Sequence, residues 1–196
     1  MLPLWLKIAY TLFTAVTVVA YARKYPPANF LWFSDLALLA LVPAFWLESA
    51  LLTSMAALAV LLPDVLWNVG FFGRLLTGKS LPVDLAGYMF DAGKPLWLRA
   101  LSIFHVFFPP LLVFAVARLG YDSRALLWQT LAAWIVLPVT FRVAPPALNV
   151  NWTRGIAGKR PFGLSPRGWL VAELAAFPAL VYAPTHLVLA RLYAPS

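Results

Sequence analysis

The sequence predicts an all-α protein: a polytopic membrane helix bundle of about six transmembrane helices, with both termini on the non-cytoplasmic side. Of its 196 residues, 63% are hydrophobic and only 11% are charged, and the mean hydropathy is +0.83. A soluble fold of this size has too little interior to bury so much apolar surface. Apolar runs of about 20 residues, the length that crosses a bilayer, recur along the chain. We therefore expect one integral membrane domain, residues 1–196.

The first three expected spans come from apolar runs and the polar residues that break them. Arg23 and Lys24 directly follow the first run, which fits a retained helix better than a cleaved signal peptide. The boundary between the second and third spans is the least defined, because a few polar residues from Glu48 to Ser54 are its only break. The expected spans are residues 3–22, 29–48, 51–72, 99–118, 124–143 and 168–190.

Proline recurs inside these spans. Each proline removes a backbone donor and leaves the carbonyl four residues earlier without its helical partner. Pro109 has this effect on the carbonyl of His105. Two interpretations stay open: the prolines only bend the helices, or the bends open a cavity.

The distribution of positive charge predicts the orientation. Eleven of the 15 Lys and Arg residues lie in the loops after the first, third and fifth spans. The positive-inside rule therefore places those loops in the cytoplasm. Six spans with this asymmetry indicate a bacterial inner membrane. The net charge of +8 is then explained by these loops and by anionic lipid headgroups, so we expect membrane lipids as partners and no nucleic acid.

Polar side chains on four of the predicted spans share one depth in the cytoplasmic leaflet. At about 1.5 Å of rise per residue, they lie about 6 to 12 Å from the cytoplasmic ends of their helices. Ionisable groups in hydrocarbon cost roughly 2.5–3.5 kcal/mol each, so they usually face the bundle interior and pair. We expect a shared polar layer made of Asp35, Asp64, Asn68, His105 and Glu173.

Each member of this layer also has a purely structural interpretation. Asp35 and Glu173 lie within two turns of the interface, where solvation or helix capping explains a carboxylate. Asn68 is typical of the residues that hold membrane helices together, and a lone His105 is often a satisfied structural histidine. His186 and Glu48 lie toward the opposite face and are interpreted as interfacial.

The long cytoplasmic loop within residues 142–168 carries a second group of candidates. They are placed to hold an anionic headgroup beside the polar layer, although a solvated positive-inside loop explains the same residues. These candidates are Asn149, Asn151, Trp152, Arg154, Lys159 and Arg160.

Several chemistries lack the residues that they require. The chain has no cysteine, which excludes disulfides, thiolate metal sites and a cysteine nucleophile. It also has no HExxH, GxSxG or Walker sequence. A zinc site would need carboxylates and His105 from separate helices, and no spacing demands one. The sequence names no cofactor, and we predict no metal site.

Residues 61–190 resemble the EXPERA group, which includes the sigma-2 receptor and sterol isomerases. The resemblance rests on Asp64, on GKPLWLRALSIFHVFFPPLLVFAVARLG at 93–120 and on VYAPTHLVL at 181–189. It implies a four-helix membrane bundle around an apolar pocket whose carboxylates hold a cationic ligand or a sterol intermediate. Asp64 would be the first pocket carboxylate, and His105 stands where that group has a Glu.

Two main hypotheses follow. In the first, the polar layer binds a lipid-like or isoprenoid-like molecule and acts on it, with Asp64 and His105 as the acid–base pair. Asp35, Asn68 and Glu173 would line the pocket, and the loop residues would hold a headgroup. In the second, the chain is a non-catalytic subunit of a larger membrane complex, whose polar residues hold helices together. A transporter is a weaker alternative, because no internal repeat is evident.

Overall fold

The structure, a computed structural model, describes residues 1–156 and 159–193. This part of the chain folds into six helices, joined by loops with short 3₁₀ turns, and contains no β-strand. The all-α membrane bundle is thereby confirmed. The helices are α1 (Leu4–Lys24), α2 (Phe33–Trp46), α3 (Ala50–Thr77), α4 (Leu96–Leu119), α5 (Ala125–Val143) and α6 (Pro166–Tyr193).

Five of these helices are long and apolar enough to cross a membrane, and α2 is shorter. The expected second span began at residue 29, but a 3₁₀ turn occupies Pro27–Leu31 and α2 begins only at Phe33. Its 14 residues rise about 21 Å, less than the hydrocarbon thickness of about 30 Å. The polar break after it is real, because Glu48 adopts a left-handed φ of 50° that ends the helix.

The third helix is longer than the expected span 51–72 and occupies the centre of the bundle. Ser49 caps its start by accepting a hydrogen bond from the Leu52 amide at 3.2 Å. Gly78, at φ 71°, ends it as a left-handed C-cap. Small buried residues, including Ala56 and Ala57, let neighbouring helices approach it closely. It packs against α2, α4, α5 and α6.

Side chains of neighbouring helices satisfy two carbonyls that prolines leave open. Asn68 Nδ2 on α3 donates to the His105 carbonyl, four residues before Pro109, at 2.6 Å. Trp134 Nε1 on α5 donates in the same way to the Leu174 carbonyl, four residues before Pro178, at 2.9 Å. These prolines therefore create cross-helix hydrogen bonds as well as irregular helix geometry.

Candidate functional site

Asp64 on α3 and His105 on α4 form a buried pair between the two helices. Asp64 Oδ1 lies 2.8 Å from His105 Nδ1, and the two side chains are only 3% and 12% exposed. With Asp64 ionised, Nδ1–H donates to the carboxylate, which fixes the ring's orientation and leaves the second ring nitrogen as the available base. The arrangement is a carboxylate-oriented imidazole, in the geometry used for general acid–base chemistry.

Asn68, one helical turn after Asp64 on α3, holds this pair in place. Its side-chain amide donates to the backbone carbonyls of Asp64 at 2.7 Å and of His105 at 2.6 Å. The second bond fixes α4 against α3 at the residue that carries the imidazole. Asn68 therefore has the helix-joining role that its residue type suggested, and in that role it holds the other two residues in place.

Aromatic rings enclose the imidazole. The Trp67 ring stacks on it with ring centroids 4.8 Å apart, and Phe104 packs at 4.2 Å. Trp67 lies three residues after Asp64 on the same helix face, a spacing that could have identified it from sequence. This enclosure excludes water from most of the ring, which strengthens its interaction with the carboxylate.

Two buried polar atoms beside the imidazole have no hydrogen-bond partner in the described part of the chain. They are Asp64 Oδ2 and Trp67 Nε1, one acceptor and one donor. An unsatisfied buried polar group costs about 1–3 kcal/mol. The Asp64 carboxylate and the His105 ring together have four polar atoms. Among them, only Asp64 Oδ2 is both buried and without a partner in the described part of the chain.

A shallow groove on the exposed face of α3 and α4 reaches Asn68. It is lined by Asn68 and by the apolar side chains of Val65, Val69, Phe72, Val106 and Pro109. Several of these are well exposed, Val69 at 54%. In a transmembrane helix such residues face acyl chains. The groove therefore joins the lipid phase to the residue that positions the Asp64–His105 pair.

Asp35 and Glu173 are buried, but neither hydrogen-bonds to the pair in the described residues. Asp35 Oδ2 accepts from Asn29 Nδ2 at 3.1 Å, close to the start of α2. Glu173 on α6 has a buried Oε2 that has no partner within residues 1–156 and 159–193. The expected layer thus consists of the Asp64–His105–Asn68 cluster and two separate carboxylates.

Tyr88, in the loop between α3 and α4, lies close enough to both Asp35 and Asp64 for their charges to act on its phenol. Burial raises the pKa of its phenol, the neighbouring polar groups of Ser102 and Trp67 oppose that rise, and the charges of Asp35 and Asp64 add to it. Tyr88 also lies beside Trp67, with ring centroids 6.5 Å apart. No periodic pattern marks this loop residue, so its place beside the cluster was not predicted.

The α5–α6 loop, residues 144–165, uses most of its predicted headgroup residues to hold itself and α2 together. Asn151 Oδ1 accepts from the Phe33 amide at 2.9 Å, and its Nδ2 donates to the Leu31 carbonyl at 2.7 Å. It therefore caps α2 from 118 residues away in sequence. The Trp152 carbonyl accepts from Trp169 Nε1 at 2.9 Å.

The three cations of this loop differ in their contacts. Arg154 donates to the Phe141 carbonyl at 2.6 Å and stacks over the Phe141 ring. Arg160 donates to the carbonyls of Leu164 and Arg154, whereas Lys159 is exposed. Headgroup binding by these residues stays a prediction.

Within residues 1–156 and 159–193, no three His, Asp or Glu side chains lie close enough together to hold a metal ion. Comparisons of the chain with protein families, with curated proteins and with solved structures found no match. Fold and site together define the class: a multi-pass α-helical membrane protein with a buried carboxylate–imidazole pair between two helices.

Proposed function

We propose that the chain binds a lipid-like or isoprenoid-like molecule in the cytoplasmic leaflet and transfers a proton to or from it through His105. The single observation that carries this proposal is the unused hydrogen-bonding capacity of the pair. Asp64 Oδ2 is buried without a partner among the described residues, next to an imidazole whose position is fixed by Oδ1 and by Asn68. A polar group of a bound molecule would remove this cost.

The groove supports a ligand from the lipid phase. Its walls are apolar and face the membrane, so a molecule reaching the pair along them would need a hydrocarbon body. Its polar group would meet Asn68 first, and the pair behind it. A water-soluble substrate would not reach the pair from this side, because acyl chains surround this face.

The residues divide the chemistry between them. Asp64 orients the ring and stabilises the imidazolium that forms when His105 takes a proton. The second ring nitrogen makes no hydrogen bond in the described part of the chain, and is the atom that would accept or return the proton. Trp67 and Phe104 limit the access of water. Asn68 is then a positioning residue, Asp64 both orients the ring and bonds the ligand's polar group, and His105 is the residue that transfers the proton.

A specific observation favours a second candidate, a non-catalytic subunit of a larger membrane complex. Asn68 and Trp134 each satisfy a proline-freed carbonyl, which is what polar residues do when they only join helices. In addition, large apolar side chains such as Trp128 and Ile135 are exposed on α5. They would pack against either lipid or another protein.

Lipid analysis of membranes that contain wild-type protein or a variant separates the two. The informative variants are Asp64→Asn and His105→Gln, with His186→Gln as the matched histidine control. We expect a lipid species whose abundance changes with wild type and with His186→Gln, but not with the first two variants. Identical lipid profiles for all four proteins, together with a stoichiometric protein partner in mild detergent, would favour the subunit.

A further inference from the structure

We infer that a second groove, at the cytoplasmic ends of α1 and α4, is a binding site for one anionic glycerophospholipid. This cationic groove is lined by one face of α1 between Ala15 and Lys24 and by Trp97 at the start of α4. It is separate from the Asp64–His105 pair and does not depend on the proposed function. Its volume of about 700 Å³ falls within the roughly 300–1,000 Å³ of small-molecule sites.

The packing of α1 on α4 shows why a groove forms here. The helices run antiparallel, with Phe13 packed on Phe107 at 5.2 Å and the Tyr21 hydroxyl 2.7 Å from Ser102 Oγ. On the adjoining face of α1, Ala15 and Ala20 carry too little side chain to fill the space. The helices are thus held together on one side of α1 and leave a channel on the other.

The length of the groove matches one leaflet. Residues 15–24 of α1 rise about 14 Å, and half of the hydrocarbon core is about 15 Å. Val16 and Val19 are 59% and 50% exposed along it, which gives an apolar wall for an acyl chain. A single chain of one leaflet can therefore lie along the whole groove.

Charge at the mouth of the groove defines the headgroup. Arg23 and Lys24 are exposed, and neither makes an ion pair or a side-chain hydrogen bond in the described part of the chain. By contrast, Arg74 is paired with Asp84 at 2.9 Å, and Arg99 donates to the Met89 carbonyl at 2.6 Å. Two unpaired cations beside an interfacial tryptophan suit a phosphodiester that carries a net negative charge.

The first test measures phosphatidylglycerol bound to the full-length protein by native mass spectrometry, with phosphatidylethanolamine as the zwitterionic comparison. The variant is Arg23→Gln/Lys24→Gln. The control is Arg118→Gln/Arg191→Gln, which removes the same charge from exposed residues at the opposite ends of α4 and α6. At about 1 kcal/mol per cation, we expect the first pair to weaken phosphatidylglycerol binding about thirtyfold and the control pair to have little effect.

The second test fills the groove without changing charge. Ala20→Phe should prevent the acyl chain from lying against α1 and lower phosphatidylglycerol occupancy, whereas Ala117→Phe, at an exposed position on α4, should not. Equal losses from both charge pairs would overturn the proposal in favour of nonspecific attraction. Unchanged binding in Ala20→Phe, or equal binding of the two lipids, would also overturn it. Asp64→Asn should keep this lipid, which separates this site from the proposed function.

Discussion

The two histidines lie in contrasting polar networks at opposite ends of the bundle. His186 Nδ1 lies 2.7 Å from the Tyr121 hydroxyl, in a region where Lys7 pairs with Glu48 and Arg124 pairs with Asp122. At the other end, His105 is bonded to Asp64, but Asp64 Oδ2 and the neighbouring Trp67 Nε1 have no partner among the described residues.

This difference distinguishes a structural network from a candidate site. Around His186, the Ser54 hydroxyl even accepts the Asp122 amide at 3.0 Å, so backbone groups are satisfied as well. These bonds hold helix ends in place, and Thr53 Oγ1, next to Ser54, is a buried atom there that has no partner among the described residues. Around His105 the same residue types are more deeply buried and less completely bonded, which is the condition under which a bound polar group stabilises the protein most.

The largest expected effect is the loss of the buried pair. His105→Ala leaves Asp64 buried without its partner, so we expect the free energy of unfolding to fall by about 3–5 kcal/mol. His186→Ala removes one partly buried hydrogen bond and should cost about 1 kcal/mol. Detergent-induced unfolding in mixed micelles, followed by circular dichroism, measures both. Similar losses for the two variants would remove the contrast between the networks.

A double-mutant cycle tests the link between Asn68 and Pro109. Asn68→Ala leaves the His105 carbonyl without a donor and should cost about 1 kcal/mol. Pro109→Ala restores a backbone amide that can bond to that carbonyl, so the cost of Asn68→Ala should be about 0.5–1 kcal/mol smaller in that background. The same unfolding assay gives all four values. Strict additivity would show that Asn68 does not act through this carbonyl.

A smaller effect is expected in the α5–α6 loop. Asn151→Ala removes the distant cap of α2 and should lower the free energy of unfolding by about 1 kcal/mol. Lys159→Gln, at an exposed residue of the same loop, should change it by less than about 0.5 kcal/mol. Hydrogen exchange at the amide of Phe33 reports the cap directly, and unchanged protection there in Asn151→Ala would contradict this role.

The smallest effect is a dependence on pH at the His186 end. The Lys7 ammonium, with the Leu2 amide, holds the pKa of Glu48 below its usual value of 4.5. A carboxyl whose pKa is lowered by folding contributes stability above the unfolded pKa, and this contribution is lost as the pH falls through the folded pKa. The free energy of unfolding, measured from pH 6 downward, should therefore decline below about pH 4.5. This decline should be smaller in Glu48→Gln.

Asp122 provides the internal control for that measurement. Its pKa is also lowered, chiefly by the hydrogen bond from Arg124, so part of the decline should remain in Glu48→Gln. The decline should shrink further in Glu48→Gln/Asp122→Asn. An unchanged pH profile in both variants would mean that these ion pairs do not couple folding to protonation.

Much of the fold could be predicted because hydrophobic length is a strong signal. Five spans agree with the expected ones to within five residues at each end, and α2 is the exception. The second helix starts late because Trp32, at φ −57° and ψ 136°, lies outside the helical region. Its first amide is capped by Asn151, whose distance in sequence hides the contact. No periodic pattern encodes such a contact.

The site was predictable in part because the depth of a polar residue along its helix can be read from the sequence. The depth of Asp64 and His105 along their helices indicated that they could meet, and Pro109 indicated an open carbonyl at His105. Depth alone does not give rotation about the helix axis, so it could not separate Asp35 and Glu173 from the pair. The loop residue Tyr88 reaches the cluster through tertiary packing alone.

The most direct test of the central claim is native mass spectrometry of wild-type protein, Asp64→Asn and His186→Gln, all purified gently from membranes. If the unsatisfied Asp64 oxygen belongs to a ligand site, one small lipid-like species should remain bound to wild type and to His186→Gln and be lost from Asp64→Asn. If all three proteins carry the same mixture of lipids, the Asp64–His105 pair only joins helices.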